Sequence, residues 1–154
     1  MSYYNQAAPT ELFRVEDSDS SAIYVHRKGI FAGADRARVD FNSTEDHLFR
    51  VLKKHLDWDN RSATPFISAY ADKEAAKAEA RRRKAEGKQD VRIYVINTNR
   101  RGAAVEYRNV RRLAKKVGLF ISKKAWHNSE HECIFLHHIP ERMVVRTIRR
   151  FEGV

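Results

Sequence analysis

Apolar residues in this chain gather in short alternating or continuous runs and fall on helical spacing in only a few places, which predicts many short strands and a few helices. Leu12-Phe13-Arg14-Val15 predicts a strand starting near Glu11, and Asp17-Ser18-Asp19-Ser20-Ser21 a turn after it. From Ser43, a capping candidate, Glu45 and Asp46 precede Leu48, Val51 and Leu52 at helical spacing, which predicts a helix over 44–56. Asp57-Trp58-Asp59-Asn60-Arg61-Ser62 reads as a loop. Thr64-Pro65 then leads into a short strand, Phe66-Ile67, that ends at Ser68. Asp72 caps a second helix that runs through Ala75, Ala76, Ala78 and Ala80 to a stop at Gly87. Val91-Arg92-Ile93-Tyr94-Val95-Ile96 is β-branched and aromatic and predicts a buried strand. A third helix is predicted over 108–117, with Val110, Leu113, Ala114 and Val117 on one face and Gly118 at its end. Strands are expected again at 133–136 and 143–151, separated by His137-His138-Ile139-Pro140.

Short strands with a few interspersed helices and no internal repeat point to an α+β fold rather than a doubly wound parallel sheet. Residues 1–10 are polar and aperiodic and read as a flexible tail, and 11–154 as a single domain, the size one core supports. The one cysteine, Cys133, has no partner for an internal disulfide. Met1 to Thr10 lack the charged-then-apolar pattern of a secretory signal, and no apolar run approaches the length of a bilayer span. The expectation is an intracellular, cytoplasmic protein with no membrane partner.

Charge adds one constraint. With 30 Lys and Arg against 20 Asp and Glu, the chain carries +10, so it attracts anions, and nucleic acid, a dinucleotide pyrophosphate and acidic proteins all qualify. The cations Lys77, Arg81, Arg82, Arg83, Lys84 and Lys88 crowd one helical segment and read as a solvated face.

Three features carry candidate chemistry. Arg14 sits inside an apolar strand, where its planar fork must find a carboxylate, as in a structural ion pair, or a phosphate. Ser68 closes a strand, either as a turn former or as a group that orients another polar side chain; it lacks the Gly-x-Ser-x-Gly setting of a nucleophile elbow. Glu130 and Glu132 are one residue apart, so in extended chain both project to one face, where two carboxylates divide the work of stabilising a cation and taking a proton. His127 and His131 would share a helical face, but no second cysteine or matching acidic motif completes a metal site, and no metal is expected. The Gly-x-Gly-x-x-Gly of a Rossmann dinucleotide site is missing.

The order of these features, Leu12-Phe13-Arg14-Val15, then Phe66-Ile67-Ser68, then Glu130-His131-Glu132 before a strand, resembles the Arg-Ser-Glu class of ADP-ribosyltransferases, with the likeness closest to the cholera and pertussis toxin catalytic subunits. His55-Leu56-Asp57-Trp58 with Thr64-Pro65-Phe66-Ile67-Ser68 also resembles a group of uncharacterised fungal domains, and the likeness covers roughly residues 11–151. The resemblance implies a split pair of small, antiparallel-rich sheets with flanking helices that holds NAD in a cleft without a Gly-rich loop. It also implies roles: Arg14 on the NAD phosphates or ribose, Ser68 positioning the acids, Glu132 stabilising the oxocarbenium-like transition state, and Glu130 acting on the incoming nucleophile. That nucleophile would be a protein acceptor, usually an arginine side chain in this class. The family's Ser-Thr-Ser continues here as Ser68-Ala69-Tyr70, keeping only the first serine. Water in place of the acceptor would make the same residues an NAD glycohydrolase. Clusters such as Arg111-Arg112 and Lys115-Lys116 keep a nucleic-acid acceptor in view, and loss of catalysis would leave a binding module.

Overall fold

A computed structural model describes residues 10–57, 63–102, 105–123, 126 and 129–151. Strands β1 (Glu11–Glu16), β2 (Ile23–Val25) and β3 (Gly29–Phe31) come first, followed by helix α1 (Glu45–Leu56), strand β4 (Phe66–Tyr70), helix α2 (Lys73–Ala85) and strand β5 (Arg92–Asn97). Strand β6 (Tyr107–Asn109), helix α3 (Val110–Val117) and strands β7 (Glu132–Leu136), β8 (His138–Pro140) and β9 (Val144–Ile148) complete the order. Six strands form one sheet in the order β6-β7-β4-β1-β5-β9 and three form another, β2-β3-β8. Every pairing is antiparallel, so the α+β expectation holds and the doubly wound alternative does not. Of the predicted tail 1–10 and loop 57–62, residues 1–9 and 58–62 lie outside the described residues.

The two sheets share a core. Leu12, Ile67, Ala69, Ile96 and Phe135 from the large sheet pack with Ile30 and Ile139 from the small one. On the other face of the large sheet, α2 lays Ala76 and Ala80 against Phe13, Val15, Ile93 and Val95. Helices α1 and α3 bury Leu48, Leu52, Val110, Leu113 and Val117 with Phe66 and Ile134.

Local signals account for the helix ends. Thr44, not Ser43, caps α1, accepting from the His47 amide, and Asp72 caps α2, accepting from that of Glu74. Ser43 instead accepts from the Asp40 amide in the preceding turn. Gly118 ends α3 in the left-handed conformation, φ +76°, which lacks a Cβ penalty only for glycine.

Three strand expectations and one helix start need correction. β4 continues past Ser68 to Tyr70 because Ala69 and Tyr70 still find partners, Cys133 and Glu132 of β7, and are themselves buried. Ser68 is therefore mid-strand, not a turn former. The separator His137–Pro140 supplies β8, which pairs with β3. The predicted 143–151 strand narrows to β9, since Met143 belongs to a 3₁₀ turn. The third helix starts two residues later than predicted, because 107–109 pair with β7. Strands β2 and β3 escape the sequence pattern altogether, being three residues each around the polar turn His26-Arg27-Lys28.

Gly29 closes that hairpin at φ +106°, and a Cβ there would lie 2.0 Å from the Ile139 carbonyl oxygen of β8. Gly29→Ala is expected to cost about 2 kcal/mol or more by forcing β3 off β8; an urea melt unchanged from the parent would refute that.

Candidate active site

β1 and β4 are paired only at Phe13–Tyr70, whereas β1 pairs with β5 along its whole length, from Glu11–Asn97 to Glu16–Arg92. Arg14 lies just beyond the single β1–β4 pair. Its Nη1 donates to the Ser68 carbonyl of β4 at 3.1 Å and its Nη2 to the Ala22 carbonyl, ahead of β2, at 3.1 Å. One guanidinium thus ties the two sheets together across the place where they part. Its third nitrogen, Nε, faces Glu16 Oε1 at 3.8 Å, beyond hydrogen-bond range. Glu16 is fully buried and takes its hydrogen bonds on Oε2, from Arg92 at 2.8 Å and the Tyr24 amide at 3.0 Å. The fork therefore sits beside a buried carboxylate within the fold, and it also lines the cleft.

That cleft, about 420 Å³, is lined by Arg14, His55, Thr64, Ser68, Tyr70 and Glu132 in its depth, a volume within the range of small-molecule sites. At its mouth stand Ser20, Ser21, Lys54, Lys88 and the α2 residues Glu79, Arg82 and Arg83. Strand register brings Ser68 and Glu132 together. Ser68 pairs with Ile134 and Tyr70 with Glu132, so Ser68 and Glu132 are diagonal neighbours on one face of the sheet. The Ser68 hydroxyl donates to Glu132 Oε2 at 2.8 Å.

A residue to which the sequence reading gave no role completes the set. His55, in the last turn of α1, places Nε2 2.7 Å from Ser68 Oγ and Nδ1 2.6 Å from Thr64 Oγ1. Its ring stands edge-on to Phe66. Burial, helped by the nearby Arg14 charge, lowers the imidazole to about 4, so it is neutral at pH 7. A serine has one proton to give and a neutral imidazole one, which orients the whole chain of bonds. The Ser68 hydroxyl gives to Glu132, His55 Nε2–H gives to Ser68, and the Thr64 hydroxyl gives to the bare Nδ1. The only sequence signal was that His55 stood inside the His55-Leu56-Asp57-Trp58 signature.

Glu132 is the unusual carboxyl of the cleft. Burial raises it to about 7, against the lowering effect of the Ser68 hydrogen bond. Glu79, buried at the edge of the cleft, goes the other way: burial would raise it, but hydrogen bonds from Arg82 and Arg83 outweigh that and hold it below the ordinary carboxylate value. Tyr70 is raised, chiefly by burial and then by Glu132. Cys133, next to Glu132 in β7, is pushed up to about 12 by burial and is an inert core thiol.

Glu130 does not join them. β7 starts at Glu132, so Glu130 falls in the turn before it and the extended geometry that would put both carboxylates on one face is not formed. Its side chain is 63% exposed, with His131 Nε2 3.9 Å away, and its backbone carbonyl is held by Asn109 Nδ2 at 3.1 Å. Glu130 is not among the residues lining the cleft. His127 lies outside the described residues. Among the described residues no group of three His, Cys, Asp or Glu is placed to hold a metal, and no helix is long and apolar enough to cross a membrane.

Comparisons with known proteins bear on the fold. The family described as a domain of unknown function, DUF7587, matches residues 7–152, nearly the whole chain. No curated protein matches. Among solved structures, one titled EcPltA superposes with a TM-score of 0.53 at 13% identity, over 91% of this chain and 75% of its own. At that identity the likeness speaks for architecture alone, and the architecture is an ADP-ribosyltransferase-like α+β fold.

Proposed function

We propose, for a chain that belongs to the DUF7587 family and has an ADP-ribosyltransferase-like fold, that it cleaves NAD at the nicotinamide–ribose bond and transfers ADP-ribose to a protein acceptor, an arginine side chain. One observation supports this reading above the others. Arg14, Ser68 and Glu132, far apart in sequence, converge from three neighbouring strands, β1, β4 and β7, on one cleft. A core has no need of a cation, a hydroxyl and a raised carboxyl in one place.

The residue types suit the chemistry. The bond between the anomeric carbon and the nicotinamide nitrogen breaks with its electron pair going to nicotinamide, whose ring charge is thereby neutralised. Positive charge then develops on the ribose, and a fixed carboxylate, Glu132, stabilises it, as carboxylates do in glycosidases. The Ser68 hydroxyl, backed by His55 and Thr64, holds Glu132 in one orientation. Arg14, with Lys54 and Lys88 nearer the mouth, supplies cations for the diphosphate. In this reading the proton that an incoming guanidinium nitrogen gives up on attack goes to Glu130, which lies on the exposed turn before β7, outside the cleft lining, and would have to reach the acceptor from there.

The test is nicotinamide release from NAD by the purified protein, alone and with arginine analogues or protein acceptors. Acceptor-dependent release with transfer of label supports the transferase. Release that yields only free ADP-ribose makes the protein a glycohydrolase, and NAD binding without release makes it a binding module.

Two subsidiary outcomes follow from the geometry. Because Glu132 must be ionised to stabilise a cation and titrates near 7, kcat/KM is expected to rise between about pH 6 and 8 with its midpoint near that value. Ser68→Ala removes the donor that favours the carboxylate. The midpoint should therefore move upward and the plateau rate fall, and a midpoint that stays put would separate Ser68 from Glu132.

A further inference from the structure

The positive charge of this chain is unevenly matched. On α2 several cations are answered by nearby carboxylates: Lys77 by Glu74, Arg82 by Glu79 and Glu86, Arg83 by Glu79 and Asp17, and beyond the helix Lys88 by Asp19. Between Glu106 and Glu130, by contrast, the chain has seven Lys and Arg residues and no carboxylate at all. Arg108 turns back to Glu106, but Lys115, Lys116 and Lys123 meet no carboxylate among the described residues. All three are exposed.

Two exposed aromatic side chains of the described residues, Phe120 and Trp126, follow α3. Phe120 is 88% exposed, although Ile121 beside it is buried with α1 and α3 and anchors the segment. Trp126 is 48% exposed. The Arg111 guanidinium lies 3.7 Å from the centre of its ring, while Arg111 Nη2 donates to the Trp126 carbonyl and Nε to Ser129 Oγ. Ser129 is buried and Glu130 follows it, so this surface runs into the turn before β7.

We infer that the exposed face of α3 and the segment after it bind single-stranded nucleic acid, with unpaired bases stacking on Phe120 and on the Trp126–Arg111 platform and phosphates on Lys115, Lys116 and Lys123. Aromatic faces interleaved with cations are what a flexible strand of alternating bases and phosphates requires. A lipid surface would need a broader apolar face, and that of α3 is already spent: Val110, Leu113, Ala114 and Val117 are packed in the core. An acidic protein would use the lysines but leaves the two aromatic rings without a role.

The experiment is fluorescence anisotropy of labelled single-stranded RNA and DNA of about 20 nucleotides, longer than one small domain's footprint, with the whole protein over a salt series. Affinity should fall with salt, with a log–log slope of about −2 if three phosphates are neutralised. Lys115→Glu with Lys116→Glu should flatten that slope by about 1.4 and weaken low-salt binding at least about ten-fold. Phe120→Ala, at a side chain that supports nothing in the core, should weaken binding about five-fold or more, and Phe120→Trp should restore it. A duplex of equal length should bind less well and ignore Phe120→Ala. No binding at the lowest salt, or binding indifferent to both the lysine and the Phe120 changes, overturns the inference. So does capture by phosphatidylserine vesicles that Phe120→Ala abolishes, with no strand binding, which assigns the face to lipid instead. Binding here requires neither NAD nor Glu132, so this inference and the transferase reading fail separately.

Discussion

Glu132→Gln is expected to lose NAD cleavage by about 10²-fold or more and, at pH 8, to fold into a more stable protein than the parent. The two effects have one cause. In the folded chain burial keeps a proton on Glu132 up to about pH 7, whereas the unfolded chain releases it near the ordinary value of 4.5. Between those values the folded state binds more protons, so its stability falls as pH rises, and above 7 the whole cost, on the order of 3 kcal/mol, is in place. Glutamine has no proton to lose and keeps an oxygen for the Ser68 hydroxyl.

His55 contributes the opposite slope. Its folded value, about 4, lies below the ordinary 6.5, so on its account the protein gains stability as pH rises from 4 to 6.5. The two contributions oppose one another between 4.5 and 6.5. Denaturant melts should therefore show Glu132→Gln matching the parent near pH 4.5, exposing the rising slope of His55, and ending above the parent at pH 8. Nicotinamide release near the parent rate would remove Glu132 from the chemistry. A variant less stable than the parent at pH 8 would contradict the buried, raised carboxyl.

Arg14→Ala should be the most damaging change to the fold itself. It removes two hydrogen bonds, one to the Ser68 carbonyl where the β1–β4 ladder stops and one to the Ala22 carbonyl just ahead of β2 of the small sheet. It also takes one of two cations from Glu16, which is 0% exposed and is left with Arg92. Losing one partner of a buried charge typically costs about 3–5 kcal/mol, a large part of the stability of any single domain. For a chain of this size that corresponds to a fall in Tm of about 10 °C or more. Arg14→Lys keeps a charge but cannot reach both carbonyls, and should fall in between. An Arg14→Ala protein that melts within about 2 °C of the parent yet no longer binds NAD would make Arg14 a ligand-binding group only.

The sequence disclosed the elements whose reasons are local and withheld those whose reasons lie elsewhere in the chain. The caps Asp72 and Gly118 and the β-branched run before Asn97 are each explained within a few residues, and the elements there formed close to where they were expected. β2 and β3 are different, since three residues carry no period and their pairing depends on β8, more than a hundred residues on. The same division runs through the site. Arg14, Ser68 and Glu132 were found by their order along the chain, but that Ser68 lies within a strand is decided by β7, and His55 became visible only when α1 was laid against β4. Glu130 failed as a same-face partner because the period-two argument needs extended chain at both positions, and β7 starts at the second.

The strand order also fixes a sequence of events. β1 lies between β4 and β5, and β4 is covered on its other side only by β7, which begins at residue 132. During synthesis the residues of β1, α1 and β4 emerge first, and the outer edge of β4, with Ile67 and Ala69 in it, stays open until β7 arrives. A nascent or prematurely terminated chain that stops short of β7 has the guanidinium, the imidazole and the serine but lacks Glu132 and the strand that covers β4. Its open β4 edge is exposed to edge-to-edge association, so a chain cut before β7 should yield aggregates for chaperones and proteases to clear.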